Sequence, residues 1–115
     1  LFRSRQDYAM LLMWLGEMRE AVEEKASNKK LNYCLARMVP LMEEMQMLVQ
    51  GAAQEKLLTH LKRVKALSTE VVEPEGFRSK PRMTNDLREL DKQIRKDLRP
   101  AAVASDMVAV PPPQP

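Results

Sequence analysis

The chain has 115 residues, a net charge of +3, 44% hydrophobic and 30% charged residues, and a single cysteine. A chain of this length holds one domain and one modest core, burying somewhat over ~60% of the surface exposed on unfolding, which favours a shallow surface site over a deep enclosed one. The basic excess is mild and sits in the second half of the chain, which suits an acidic partner and falls short of a dedicated nucleic-acid footprint.

Three glycines, five aromatic residues (Phe2, Tyr8, Trp14, Tyr33 and Phe77) and abundant Leu, Met, Ala, Glu and Lys predict an all-α fold. The expected architecture is a small bundle of four or five helices over residues 1–99, with an irregular loop at 68–83 and a disordered Pro/Ala/Val tail over 100–115. Leu1 stands where an initiator methionine would, which reads as a piece of a longer or processed protein. The apolar run Ala9 to Leu15 is far shorter than the ~20 residues of a membrane span, and no signal-peptide pattern is present, so no membrane partner is expected.

The first helix is expected from Ser4, as N-cap, to about Lys25. Tyr8, Leu11, Leu12, Leu15, Met18 and Val22 recur at helical spacing, and Met10, Met13 and Trp14 widen that stripe until the helix must be central or covered by a partner. Ala26-Ser27-Asn28 breaks the pattern, and Ser27 or Asn28 can cap the next helix. Leu31, Cys34, Leu35, Met38, Met42 and Met45 then continue through Pro40, which either kinks this helix or opens a new one at its first turn. Gly51 is expected to end the segment as a C′ residue. Cys34 lies on the apolar stripe and reads as a small core hydrophobe in a reducing compartment.

A third helix is expected over Ala52 to Leu67, with Leu57, Leu61 and Val64 inward, Leu58 and Leu67 at the edge, and Lys62, Arg63 and Lys65 in its last turn, where cations complement the helix dipole. Pro74, Gly76 and Pro81 mark irregular chain, tacked to the bundle by Val71, Val72 and Phe77. Thr84 then caps a final helix whose Leu87, Leu90, Ile94 and Leu98 form a narrow stripe that Pro100 terminates. The end, Pro111-Pro112-Pro113-Gln114-Pro115, favours extended polyproline conformations.

No catalytic constellation emerges. His60 is the only histidine, and its own-helix neighbours Lys56, Leu57, Arg63 and Val64 supply no carboxylate, so neither a nucleophile–base pair nor a metal-ligand spacing is formed. There is no Gly-rich phosphate loop. The paired acids Glu23-Glu24 and Glu43-Glu44 point about 100° apart on a helix and do not share a proton. No enzyme, cofactor or metal is expected. Nine methionines leave two readings open, core filler or a groove that adapts to an apolar segment of another protein.

The spacing from Leu15 to Leu67 resembles the helical domain shared by the N-terminal region of transcription elongation factor TFIIS and the integrase-binding domain of lens-epithelium-derived growth factor. The residues that carry it are a first helix ending at Val22, the core positions Cys34, Leu35, Met38 and Leu41, a polar break at Gln50 to Gln54, and Leu58-Thr59-His60-Leu61-Lys62-Arg63-Val64-Lys65-Ala66-Leu67. The resemblance covers about half of the chain. It implies a compact bundle that binds short, partly disordered motifs of transcription or chromatin proteins through two loops at one end, here Ala26-Ser27-Asn28 and Leu67-Ser68-Thr69. An acidic residue of the integrase-binding pattern is absent at Ser27 and Asn28, and Leu67 stands where that pattern has an aromatic.

The expected function is therefore a nuclear, non-enzymatic protein–protein interaction domain for a peptide-like or helical segment of a transcription or chromatin protein, with the cytoplasm as the alternative location. Ala26, Ser27, Asn28, Leu67 and Thr69 form the anchor site, and Lys62, Arg63 and Lys65 steer an acidic ligand. The alternative is a methionine-rich dimerisation or assembly scaffold joined through Leu11 to Val22 and Leu35 to Val49. Nucleic acid is a weaker partner, reached only through phosphate contacts.

Overall fold

A computed structural model describes residues 2–71 and 80–107. The described residues form five helices and no strand: α1 (Phe2–Glu23), α2 (Asn28–Leu48), α3 (Gly51–Val71), α4 (Lys80–Asp97) and α5 (Pro100–Val103), followed by a 3-10 turn at Ala104–Asp106. The all-α expectation holds.

The apolar periodicities decide how the helices pack. On α2, Leu31, Cys34, Leu35, Met38, Met42 and Met45 are all buried, a stripe that must be covered along its whole length. Helix α1 covers one side of it with Leu11, Leu15, Met18 and Ala21, and α3 covers the other with Ala53, Leu57, Leu61, Val64, Leu67 and Val71. Helix α4 lies against α1 and α3 and inserts Met83, Leu87, Leu90, Ile94 and Leu98, so one continuous core runs through the molecule. Each fully buried Leu, Ile or Met contributes about 1.5–3 kcal/mol relative to exposure, and these four stripes hold the bundle together. The methionines of the α2 stripe are core. Met10, Met13 and Met47 stay on the surface.

Pro40 neither splits nor ends α2. It removes one helical N–H, whose ordinary acceptor is the Ala36 carbonyl, but Ala36 and Pro40 both lie on the exposed face, where water can solvate that carbonyl. Ser27 caps α2 as expected, its Oγ accepting from the Lys30 N–H at 3.3 Å.

Several boundaries differ from the expectation. Ser4 and Thr84 lie inside helices that begin at Phe2 and Lys80, and Pro81 occupies the first turn of α4, where its missing N–H costs nothing. Helix α3 continues past Leu67 to Val71, because Leu67 and Val71 extend its buried stripe by a further turn. The expected loop at 68–83 therefore loses both ends to helices, and Val72, Pro74, Gly76 and Phe77 fall outside the described residues. Gly51 has a positive φ of 65° as expected of a left-handed residue, but it opens α3, with the extended Val49 closing α2.

The largest correction concerns the segment after α4. Pro100 does not close the fold. It opens α5, where proline at the start of a helix is preorganised, and residues 100–107 form a packed strap. Val103 is buried, Met107 makes a β-bridge to Val49, and the Gln50 N–H donates to the Asp106 carbonyl at 2.8 Å. Asp106 Oδ2 accepts from the Ala53 N–H at 2.9 Å, so this carboxylate caps the N-terminus of α3 from 53 positions away in sequence. The remaining tail, 108–115, lies outside the described residues. Asp106→Ala should lower the unfolding free energy by about 1–2 kcal/mol, the usual cost of a lost N-cap, in chemical denaturation followed by circular dichroism.

Candidate partner-binding groove

The α1–α2 turn is built by a recurrent helix-ending device. The Ala26 N–H donates to the Ala21 carbonyl at 2.8 Å and the Lys25 N–H to the Val22 carbonyl at 3.1 Å, with Lys25 at φ 54°. These are the paired bonds of a Schellman ending, with Lys25 at the left-handed position glycine usually holds. The turn brings Ala26 back onto Ala21 and directs Asn28 into the start of α2.

Between this turn and the first turns of α4 lies an open groove of about 570 Å³. Its floor is apolar, made by Ala21, Val22, Ala26, Leu31, Met83 and Leu87, and its rim carries Glu23, Lys25, Asn28, Thr84, Asn85 and Arg88. Arg88 Nη2 donates to Glu23 Oε1 at 2.8 Å and joins α4 to α1 along one edge. Both side chains are more than half exposed, so solvent and salt screen the pair.

Deeper along the same seam, the buried Asp91 receives two guanidinium groups, Arg19 Nη2 on Oδ2 at 2.8 Å and Arg95 Nε on Oδ1 at 2.7 Å. The Tyr8 hydroxyl donates to the Arg95 carbonyl at 3.3 Å. Burial raises the Tyr8 pKa, with Arg95 and Arg99 opposing the rise. At the opposite seam, His60 on α3 is buried and its Nε2 lies 2.8 Å from Asp97 Oδ2 on α4. His60 thus acquires a carboxylate from another helix that its own helix could not supply. Among the described residues no hydroxyl or thiol joins this pair, and no group of three or more His, Cys, Asp or Glu side chains could hold a metal ion. Cys34 is buried, and burial, aided by the Glu17 charge and opposed by Lys30, raises its thiol pKa. That makes it a poor nucleophile.

The expected site residues divide. Ala26 and Asn28 line the groove, and Ser27 is exposed beside them as the α2 cap. Lys62, Lys65 and Thr69 are exposed on α3 and Arg63 is half-buried, but no α3 residue lines the groove. Leu67 is buried in the core, so it cannot serve as a surface anchor, and Leu67-Ser68-Thr69 is helix where a loop was expected. Ser68 Oγ instead donates to Asn32 Oδ1 and ties the end of α3 to the start of α2. The second wall, from Met83 to Arg88, was missed. The Leu87–Leu90–Ile94 periodicity shows that α4 docks, while the neighbour it docks beside is set by tertiary packing.

Comparison with known proteins gives no match to any family model, to any curated protein or to any solved structure. Among the described residues, no helix is long and apolar enough to cross a membrane.

Lys25→Gly should raise stability by about 1 kcal/mol, because a side chain at a left-handed position is strained and glycine is not. Urea denaturation of the two proteins measures this, with an unchanged slope expected if only the turn is affected.

Proposed function

We propose that this chain is a non-enzymatic protein–protein interaction domain that binds a short, partly disordered segment of a transcription or chromatin protein in the nucleus. The observation that carries the reading is the groove at the α1–α2 turn. It has an apolar floor for an anchoring side chain, a polar rim for the peptide backbone, and a volume within the ~300–1,000 Å³ usual for ligand sites. The TFIIS-like resemblance also implies recognition through the loop at Ala26-Ser27-Asn28, which borders this groove. The partner class and the nuclear setting rest on that resemblance. Lys25 and Arg88 on the rim, with the exposed Lys62 and Lys65 on α3, favour acidic residues flanking the anchor.

The assembly reading has less support. The stripes it requires, Leu11 to Val22 and Leu35 to Val49, are largely consumed by the core of a single chain. Sequence-independent phosphate contact would fall to the α3 cations, which have no aromatic residue interleaved for base stacking.

Peptides selected from a random display library against the intact chain provide the test. Selected peptides should carry an apolar anchor, and Thr84→Arg, which fills the groove mouth, should weaken their binding by about tenfold or more, equivalent to about 1.4 kcal/mol. Lys62→Glu should change mainly the salt dependence. Peptides that bind the Thr84→Arg protein as tightly as the parent would overturn the assignment. Leu67→Asp serves as the unfolding control, because a charge in the core removes the scaffold itself.

A further inference from the structure

The core leaves one side of α1 uncovered. Leu11, Leu15 and Met18 point into the bundle, and on the opposite side of the helix Arg5, Ala9, Met13, Gly16 and Glu20 follow at steps of three or four residues, with Leu12 beside Met13. None of these six is buried, Met13 is 46% exposed, and α1 carries no charged residue from Tyr8 to Gly16. Two features of this apolar face have no explanation within a single chain.

The first is the placement of charge. A helix dipole favours acids at the N-terminus and bases at the C-terminus. Helix α1 has them the other way round: Arg3 and Arg5 stand in its first turn, where there is no acid, and Glu17, Glu20 and Glu23 occupy its last two turns with no base in the final one. Arg5 and Glu20 are exposed and make no ion pair among the described residues. The second is Gly16. Glycine inside a helix is unfavourable relative to alanine, because it loses more backbone freedom on folding. At Gly16 φ is not positive and an added Cβ would meet no atom within 4 Å, so nothing in this chain requires glycine there.

We propose that this face pairs with the same face of a second copy of the chain, the two α1 helices running antiparallel about a two-fold axis between Leu12 and Met13. The charge pattern selects this occupant. About that midpoint Arg5 is the symmetry counterpart of Glu20, and Ala9 that of Gly16. An antiparallel second copy therefore sets Arg5 against Glu20 twice over, Ala9 against Gly16, and Leu12 against Met13 at the centre, as an isologous contact requires. A parallel partner would bring like charges together. The small side chains of Ala9 and Gly16 let the backbones approach toward the short end of the about 8–10 Å range of helix pairs. Each acid-rich C-terminal end also gains the positive N-terminal end of its neighbour, which supplies what its own dipole denies it.

A single helix face about 33 Å long, at 1.5 Å per residue, buries less than the roughly 1,200–2,000 Å² of stable interfaces, so the association is weak, reversible and salt-sensitive. It draws only on what the core leaves over. Ala21 and Val22, the α1 residues on the floor of the groove, lie off this face, so the pairing does not depend on the groove.

Sedimentation equilibrium of the full chain from about 10 μM to about 1 mM tests the pairing, with helicity followed by circular dichroism. The parent should show a monomer–dimer equilibrium. Arg5→Glu and Glu20→Arg, each of which turns two attractive contacts into repulsive ones, should each raise the dissociation constant about tenfold. The double variant, Arg5→Glu with Glu20→Arg, keeps the net charge and should return the constant to within about threefold of the parent. Both positions are exposed, so the bundle stays folded in all three variants. A parent chain that is monomeric throughout would overturn the proposal. A dimer indifferent to the single reversals would overturn it by placing the contact on another face, and single reversals that the double variant does not rescue would overturn the antiparallel register.

Discussion

Everything in this bundle depends on covering the α2 stripe from two sides. Six residues from Leu31 to Met45 point inward over nearly the whole helix, and no single neighbour is wide enough to remove them all from water. Helices α1 and α3 therefore flank α2, which leaves a valley between them that only a further amphipathic element can fill. Helix α4, with one narrow apolar stripe and charge elsewhere, fits that valley. The groove at the α1–α2 turn exists because α4 begins beside the turn without covering it.

The seams divide by chemistry. The α1–α2 and α2–α3 contacts are dominated by aliphatic and thioether side chains, whereas α4 is held by Arg19–Asp91, Glu23–Arg88 and His60–Asp97 as well as its stripe. A regular leucine stripe can slide by one turn with little change in buried area. A shift of 5.4 Å would separate all three charged pairs, and Asp91 and His60 are buried enough for their separation to be costly. The polar contacts thus act mainly on register, and the apolar ones on stability.

Much of this was legible in the sequence, because periodicity is a local property. The α2 stripe, the inward face of α4, the Ser27 cap and the burial of Cys34 follow from spacing and residue type. The end of α3 was misplaced because Ser68, Thr69 and Glu70 resemble a polar break, and only tertiary burial of Val71 makes them one more helical turn. Leu67 was placed on the surface by the same error. Arg19, Asp97 and Asp106, which pair with Asp91, His60 and Ala53 from other elements, are between 37 and 72 positions away, and no spacing rule reaches that far, whereas the Arg95 contact to Asp91 is an ordinary i,i+4 pair. The groove was half visible: Ala26 and Asn28 announce a turn, while the wall from Met83 to Arg88 depends on where α4 comes to rest.

The Asp106 cap has a consequence for the order in which this protein is made. During synthesis α1, α2 and α3 leave the ribosome before residue 106, and their local packing lets a three-helix intermediate form early. The first turn of α3 then lacks its acceptor at Ala53 until α4 has docked and the strap has packed against the start of α3. The N-terminus of α3 is thus the last part of an early helix to be secured, and the strap works as a latch that couples the docking of α4 to the start of α3.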